Sequence, residues 1–406
     1  MGPYQRPDQR PASARDPAQG RLIVLTAVLF ISYLCVALSL PVVPLFVAGD
    51  LGMGNVWAGL GVGSAFLATI LSRGFAGTVS DRRGAKRAVG RGLAFYVAGG
   101  LVSMAAGPLS FSPWAAFSVL VAGRLLIGVG ESLVGVGVVA WGIGIVGPQR
   151  SGRVLALIGA ALYGAFAAGG PLGLALLDGF GFSGVMAVSA LLPAVGLLAI
   201  RRMEGTPAHP DAERPPFRSV LGRIWRQGVI VSLQGIGFTA IGAFFSLHFV
   251  REGWPHAGLG LTAFGLGFVL VRFALGHLPD RFGGLRVAMG SLAVEAVGQA
   301  LLWTAGDPVT ALAGAFLTGL GCSLVFPAMG REVVHLVEPQ LRGTALGAFA
   351  AFQDVAYGLT GPLAGLLADR VGYGGVFLLG SAAAALGLLT TVQLLRARPV
   401  VKTSPT

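Results

Sequence analysis

Arg73-Gly-Phe-Ala-Gly77-Thr-Val-Ser-Asp81-Arg82-Arg-Gly84 returns later in the chain as Arg272-Phe-Ala-Leu-Gly276-His-Leu-Pro-Asp280-Arg281-Phe-Gly283, every match at an offset of 199. Further on, Pro148-Gln149 and Gly152 return as Pro339-Gln340 and Gly343, Gly170-Pro171-Leu172 as Gly361-Pro362-Leu363, and Asp178 as Asp369, now at an offset of 191. Both copies sit among long apolar runs in the same order. That is the mark of a membrane protein built by parallel internal duplication.

Composition agrees. The chain has 406 residues, 54% hydrophobic and 11% charged, against about 25% charged in soluble proteins. A crossing of the hydrocarbon core takes about 20 apolar residues. Runs of that length begin near Leu22, Val56, Ala88, Trp114, Val154, Gly184, Gly228, Gly258, Leu285, Pro308, Thr344 and Gly375. Backbone groups cannot stay unpaired in lipid, so the runs are expected to be helices, spans 1 to 12. The fold class is thus all-α, twelve transmembrane helices in two six-helix bundles related by a pseudo-two-fold axis.

The boundaries follow from the polar stretches. Residues 1–21, rich in Pro and Arg, read as a disordered tail. Residues 22–200 form the first bundle, 201–227 a linker with Pro207, Pro210, Pro215 and Pro216, 228–396 the second bundle, and 397–406 a second tail. The first apolar run is too long for a signal-peptide core.

The net charge of +12 is not a nucleic-acid footprint. With the N-terminus inside, 24 of the 29 Lys and Arg fall on the inner side. Only Arg251 and Arg370 fall outside, and Arg73, Arg124 and Arg272 lie within spans. The positive-inside rule then places both termini in the cytoplasm. Cys35 and Cys322 lie inside spans and read as small buried residues rather than a disulfide framework.

Other chemistries find no footing. There is no G-x-x-x-x-G-K-[ST], and Lys86 and Lys402 are the only lysines, which argues against an ATP-driven pump. No H-E-x-x-H or G-x-S-x-G occurs. The five histidines (209, 248, 256, 277, 335) show no metal-ligand spacing, so no metal and no cofactor is expected. Gly179-Phe-Gly181-Phe-Ser-Gly184 fits a dinucleotide pattern but joins two helices, and reads as a turn.

The loop Gly77-Thr-Val-Ser-Asp81-Arg82-Arg-Gly84-Ala-Lys86-Arg87 resembles the span 2–3 signature of the major facilitator superfamily, and Gly276 to Gly283 is its echo. Arg124-Leu-Leu-Ile-Gly128-Val-Gly130 is similar to that superfamily's span 4 signature. Gly170-Pro171-Leu172-Gly173 partly matches its antiporter signature. More narrowly, Arg124 to Gly173 and Phe352-Gln353-Asp354 to Pro362 look like the bacterial branch described as arabinose-efflux-like. The resemblance implies a multi-pass protein of the bacterial inner membrane, not an enzyme. Such a protein moves a small molecule, sugar or amphipathic, by alternating access, with a proton gradient as driving force and export as the favoured direction. Its partners would be substrate, protons and lipid. The competing reading is a non-transporting membrane sensor or an integral membrane enzyme.

Ionisable residues inside spans are expensive and mark function or tight pairing. Glu131 in span 4, Glu295 in span 9 and Asp354 in span 11 are such acids. Glu131 lies seven residues after Arg124 on the same helix face. It is either the proton-coupling or substrate group, or a fixed partner of an arginine. Asp354 follows Gln353 and precedes Tyr357, and its repeat position holds Tyr163. Glu295, with Gln299 at i+4, reads as a structural hydrogen bond. Arg73 and Arg272 either snorkel to the inner surface or pair with acids on neighbouring helices.

By resemblance, spans 1, 4, 7 and 10 line a central cavity. That nominates Tyr33, Trp141, Gln234, Phe238, Ser323 and Phe326 as substrate contacts, with Gln353 and Tyr357 beside Asp354. Also by resemblance, Arg73, Gly77, Asp81, Arg82 and Gly84, echoed by Arg272, Gly276, Asp280, Arg281 and Gly283, form a gate. Asp81 would hold the halves together near the start of span 11. The Gly170-Pro171 and Gly361-Pro362 pairs would let helices bend.

Overall fold

A computed structural model describes residues 17–147, 151–208, 218–338 and 341–397. Most of the two tails, the centre of the linker, Pro148-Gln149 and Pro339-Gln340 lie outside them.

The first half comprises α1 (Pro17–Leu45, extended by a π-helical turn, Phe46–Asp50), α2 (Asn55–Arg83), α3 (Ala85–Met104), α4 (Pro113–Val146) and α5 (Ser151–Arg201). The second comprises α6 (Arg218–Arg251), α7 (Leu259–Leu275), the short α8 (Leu278–Phe282), α9 (Gly284–Thr304), α10 (Pro308–Leu336), α11 (Arg342–Val371) and α12 (Tyr373–Arg396). Spans 5 and 6 are the two limbs of α5. They are joined at Gly181, whose φ of 65° is a turn that glycine adopts without strain. The dinucleotide-like pattern is therefore this turn.

Eight of the described helices are long and apolar enough to cross a membrane on length and composition alone. The other crossings are explained residue by residue. The α5 helix crosses twice. Lys86, Arg87 and Arg91 dilute the start of α3, α7 is 17 residues long, and α11 carries Asp354 and Gln353. Four of the six tryptophans, Trp57, Trp114, Trp254 and Trp303, stand at helix ends on the face away from the chain termini, at the level where amphipathic rings anchor at a membrane surface. That face is called distal below, and the opposite one terminal.

Gly84 and Gly283, which end the two signature loops, are repeat partners with φ of 92° and 86°. Each sits between two helices with no other linking residue, a reversal that only glycine makes cheaply. The halves differ at Pro279. It stands where the first copy has Ser80, lacks the N–H that would continue α7, and so splits span 8 into α7 and α8.

Two crossings join the halves, and the duplication relates them. At the first, a Cβ on Gly59 of α2 would run into the Gly361 carbonyl of α11, and a Cβ on Gly63 into the Gly358 carbonyl. At the second, a Cβ on Gly258, just before α7, would meet Gly170 and Pro171 of α5, while the Thr262 hydroxyl donates to the Ala167 carbonyl at 2.9 Å. Gly59 maps on Gly258, Gly361 on Gly170, residue 63 on 262 and residue 358 on 167, all at the offsets read from the sequence. Small residues let the backbones touch here. Gly170 and Gly361 are therefore contact points. Pro171 lies inside α5 with helical backbone on either side.

Both crossings lie towards the distal face. Asn55 closes the first, donating from Nδ2 to Asp369 at 2.7 Å and accepting from the Tyr373 hydroxyl at 2.9 Å. The distal halves of α1 and α6 are buried throughout residues 35–44 and 237–249. Towards the terminal face both helices regain exposed residues, Ile23, Val24, Leu221 and Trp225.

Asp307 caps α10. Its Oδ1 accepts the N–H groups of Val309 and Thr310, both at 2.9 Å, and its Oδ2 accepts the Thr310 hydroxyl at 2.6 Å. These bonds, the Thr310 hydroxyl first, hold the Asp307 carboxyl below the usual carboxylate range. A depressed carboxylate stabilises the fold above its unfolded pKa, and the gain is lost as pH falls through the folded value. Thermal melting should therefore find Asp307→Ala less stable than the parent at neutral pH and equal to it in strong acid.

Candidate site between the halves

Towards the terminal side of the first crossing, Arg73 of α2 meets Asp354 of α11. Both Nε and Nη2 of the guanidinium contact the same carboxylate oxygen, Oδ2. Arg73 lies about 15 Å from the terminal end of α2 at 1.5 Å per residue. Snorkelling is therefore ruled out for this arginine, since the nearby acid of the other half holds it inside. Glu131 of α4 is buried beside this pair, and both Asp354 and Arg73 act on it electrostatically. The Thr69 hydroxyl of α2 lies 3.4 Å from Glu131 Oε2 and 3.0 Å from the Gly128 carbonyl. Arg73 is thus bonded to Asp354, and Glu131 stands close by with no cation in ion-pair distance among the described residues. One carboxylate lacks a cation, and a proton can fill that place.

Arg124, which shares a helix face with Glu131, has other partners. That arginine is fully buried, donates from Nη1 to the Ser39 hydroxyl at 2.6 Å and from Nε to the Gly61 carbonyl at 3.3 Å, and pins α4 to α1 and α2. No carboxylate lies within ion-pair distance of it among the described residues. Its seven-residue spacing from Glu131 is real, but a 10 Å rise is too far for contact.

Aromatic rings from both halves pack around the acids. Tyr33 meets Phe166 at 6.3 Å, Phe166 meets Phe238 at 5.2 Å, Phe238 meets Tyr357 at 4.9 Å, and Tyr357 meets Phe66 at 5.3 Å. Gln353 donates to Gln234 at 3.1 Å. Tyr33, Gln234, Phe238, Gln353 and Tyr357 are thus neighbours at the boundary between the halves. Phe66, Thr69, Tyr163 and Phe166 were missed, and helix 2 and 5 positions were simply not on the cavity list.

Other nominees lie elsewhere. Trp141 is fully buried inside the first half, and its indole N–H donates to the Glu204 carbonyl at 3.1 Å, five residues from the end of α4. Phe326 packs on Phe349 at 4.8 Å within the second half. Ser323 is buried and donates to the Phe268 carbonyl at 2.8 Å, tying α10 to α7. Glu295 and Gln299 are buried between α9, α10 and α6. Gln299 donates to the Gly237 carbonyl at 3.1 Å, and Glu295 lies against the Cys322 thiol of α10 rather than bonding Gln299.

The signature residues keep to the terminal face. Gly77 is buried in α2, and Asp81 and Arg82 occupy its last turn. Asp280 pairs with Arg331 of α10 at 3.5 Å, inside its own half, and Arg281 lies over the Phe282 ring. Gly276 ends α7. Residues 339–340, just before α11, lie outside the described residues, and with them the surroundings needed to judge the Asp81 gate.

A family profile described as the Major Facilitator Superfamily matches residues 25–255 and again 228–406. The chain belongs to the major facilitator superfamily. An uncharacterised MFS-type transporter of Salmonella typhimurium is 42% identical over 391 residues, 95% of this chain and 99% of that protein. One from Burkholderia mallei is 40% identical over 375 residues, 92% and 91% respectively. Among solved structures, a D-xylose–proton symporter superposes with a TM-score of 0.77 at 15% identity, covering 96% of this chain and 99% of that one. A nucleoside transporter gives 0.75 at 15%, covering 92% and 99%. At such identities the two structures share the fold alone, and that fold is the twelve-helix superfamily architecture.

Removing one partner of a buried ion pair strands the other charge and costs about 3–5 kcal/mol. Arg73→Gln and Asp354→Asn should each lower the melting temperature in detergent, and the double variant should recover most of the loss. Additive losses would mean the two residues do not depend on each other.

Proposed function

We propose that this superfamily transporter is driven by protons, and that Glu131, beside the Arg73–Asp354 pair, is the coupling group. The observation behind it is the cluster itself: two acids and one guanidinium, on α2, α4 and α11, at a contact that must break when the halves part. With the proton on, Asp354 keeps Arg73 and the halves stay joined. With it off, Glu131 competes for the same guanidinium, and loading of the proton is tied to the tilt of the halves. The terminal face is read as cytoplasmic from the placement of Lys and Arg, in a bacterial inner membrane, and the crossings towards the distal face are read as the closed side of a central cleft that opens inward. Export of a small polar or amphipathic molecule is the direction favoured by the partial antiporter match at Gly170-Pro171.

The test is flux in proteoliposomes of compounds that raise the melting temperature of the purified protein. Transport should follow an imposed pH gradient and collapse when a protonophore is added. Flux indifferent to both pH gradient and membrane potential would refute proton coupling.

A further inference from the structure

The two crossings are built alike and charged differently. At the first, α2 supplies Arg73 and Thr69, α4 supplies Glu131 and α11 supplies Asp354. The duplication carries these onto Arg272 and Phe268 of α7, Cys322 of α10 and Tyr163 of α5. The same operator relates the backbone contacts on either side, so the comparison is one of like places. Only the cation has been kept. Both carboxylates have been replaced by groups that carry no charge at neutral pH.

Arg272 therefore stands without an acid. Among the described residues its one hydrogen bond runs from Nη1 to the Ser323 carbonyl at 3.2 Å, and no carboxylate lies within ion-pair distance. A guanidinium has five N–H donors in a planar fork. The Nη2 and Nε side faces Gly159 of α5, where even an added Cβ would stay 3.7 and 3.8 Å away. Tyr163, one turn further along α5, is stacked on Phe268 and lies in electrostatic reach of Arg272. A cation this deep in a membrane protein is expected to pair with an anion or line a cavity. Among the described residues the rest of the fork has no carboxylate partner.

We propose that the α5–α7 crossing is an anion subsite, where Arg272, flanked by Tyr163, takes a carboxylate or phosphate group of the transported molecule. This deepens the transport reading and rests on it. The substrate then completes at the second crossing the ion pair that Asp354 completes at the first. Binding of the acid bridges α7 and α5, and so joins the two halves, while the opposite crossing handles the proton.

The experiment uses the full chain in lipid nanodiscs and follows thermal melting with inorganic phosphate, and with glucose, glucose 6-phosphate and glucuronate as a matched series. The acidic sugars should raise the melting temperature and glucose should not. Arg272→Gln should weaken their binding about 10- to 100-fold, the range for hydrogen bonds to a charged group, and Arg272→Lys should keep part of it. Tyr163→Asp, which returns a carboxylate to the crossing, should raise melting without ligand and abolish the anion response. A response unchanged by Arg272→Gln and Tyr163→Asp, or no response of the parent protein to any of the anions, overturns the proposal. Acidic compounds that bind through Arg272 but are never carried in proteoliposomes leave the subsite standing and remove the transport reading. Carriage of neutral compounds with no anion response does the reverse.

Discussion

Glu131→Gln should abolish proton-driven accumulation while leaving exchange of substrate across the membrane intact. Glutamine keeps the shape of the side chain and its place beside Thr69, but it cannot take up a proton. The halves can still tilt with substrate bound, so counterflow continues. What disappears is the link to the gradient. For one proton per cycle, a difference of one pH unit supplies about 1.4 kcal/mol and supports about tenfold accumulation. The variant should show a ratio of one at every imposed gradient. The measurement is uptake against counterflow in the same proteoliposomes. Accumulation that survives in Glu131→Gln would move the coupling role to Asp354, and survival in Asp354→Asn as well would remove it from this cluster.

The second large effect is expected at a glycine. A Cβ on Gly59 runs into the Gly361 carbonyl, which is backbone and cannot rotate away. A leucine there is overpacked only while the distal face is closed. Overpacking costs about 1–3 kcal/mol, sometimes more, and all of it falls on one of the two states. The population of the distal-closed state should drop by about 10- to 100-fold. A cysteine at Leu40 reports this, because Leu40 is buried in α1 near Gly242 of α6, across the boundary between the halves. A membrane-impermeant maleimide added from the distal side should label Leu40→Cys much faster when Gly59→Leu is also present. Equal labelling rates would mean that the Gly59–Gly361 contact does not open during the cycle. Cys35 and Cys322 are buried as Leu40 is, so the assay is run with both replaced by alanine.

The fold was legible because duplication and lipid each leave a coarse mark. The signature and its echo set the repeat, and apolar run length set the crossings. The offsets of 199 and 191 even pair Gly59 with Gly258 and Gly361 with Gly170, though only the structure shows that these glycines touch. Helix rotation is where sequence reasoning ended. Trp141 and Phe326 sit on helices expected to line the cavity, and nothing in their spacing says that they turn inward to their own bundles. Arg124 and Glu131 drew attention to each other because spacing within one helix is visible. Arg73 and Asp354 are 281 residues apart, and a contact of that kind is set by packing. A trace of it was present, since Asp354 had an unmatched repeat partner in Tyr163. That asymmetry marked Asp354 as an acid the duplication does not account for.

The same asymmetry underlies the two proposals. Acids gather at one crossing, and at the other Arg272 has no carboxylate within ion-pair distance among the described residues. A proton and an acidic solute can then be handled on opposite sides of one cleft, with each arrival changing the contact between the halves.

The central claim is that the two halves tilt against each other about that cleft. Paired spin labels on cysteines at Asp178 and Glu252 report the distal face, and labels at Arg83 and Arg286 report the terminal face. All four residues are exposed, with one of each pair in either half. Double electron–electron resonance across a change of pH, with and without substrate, should show the distal distance growing as the terminal distance shrinks. Distances that stay fixed, or that grow and shrink together, would contradict the account.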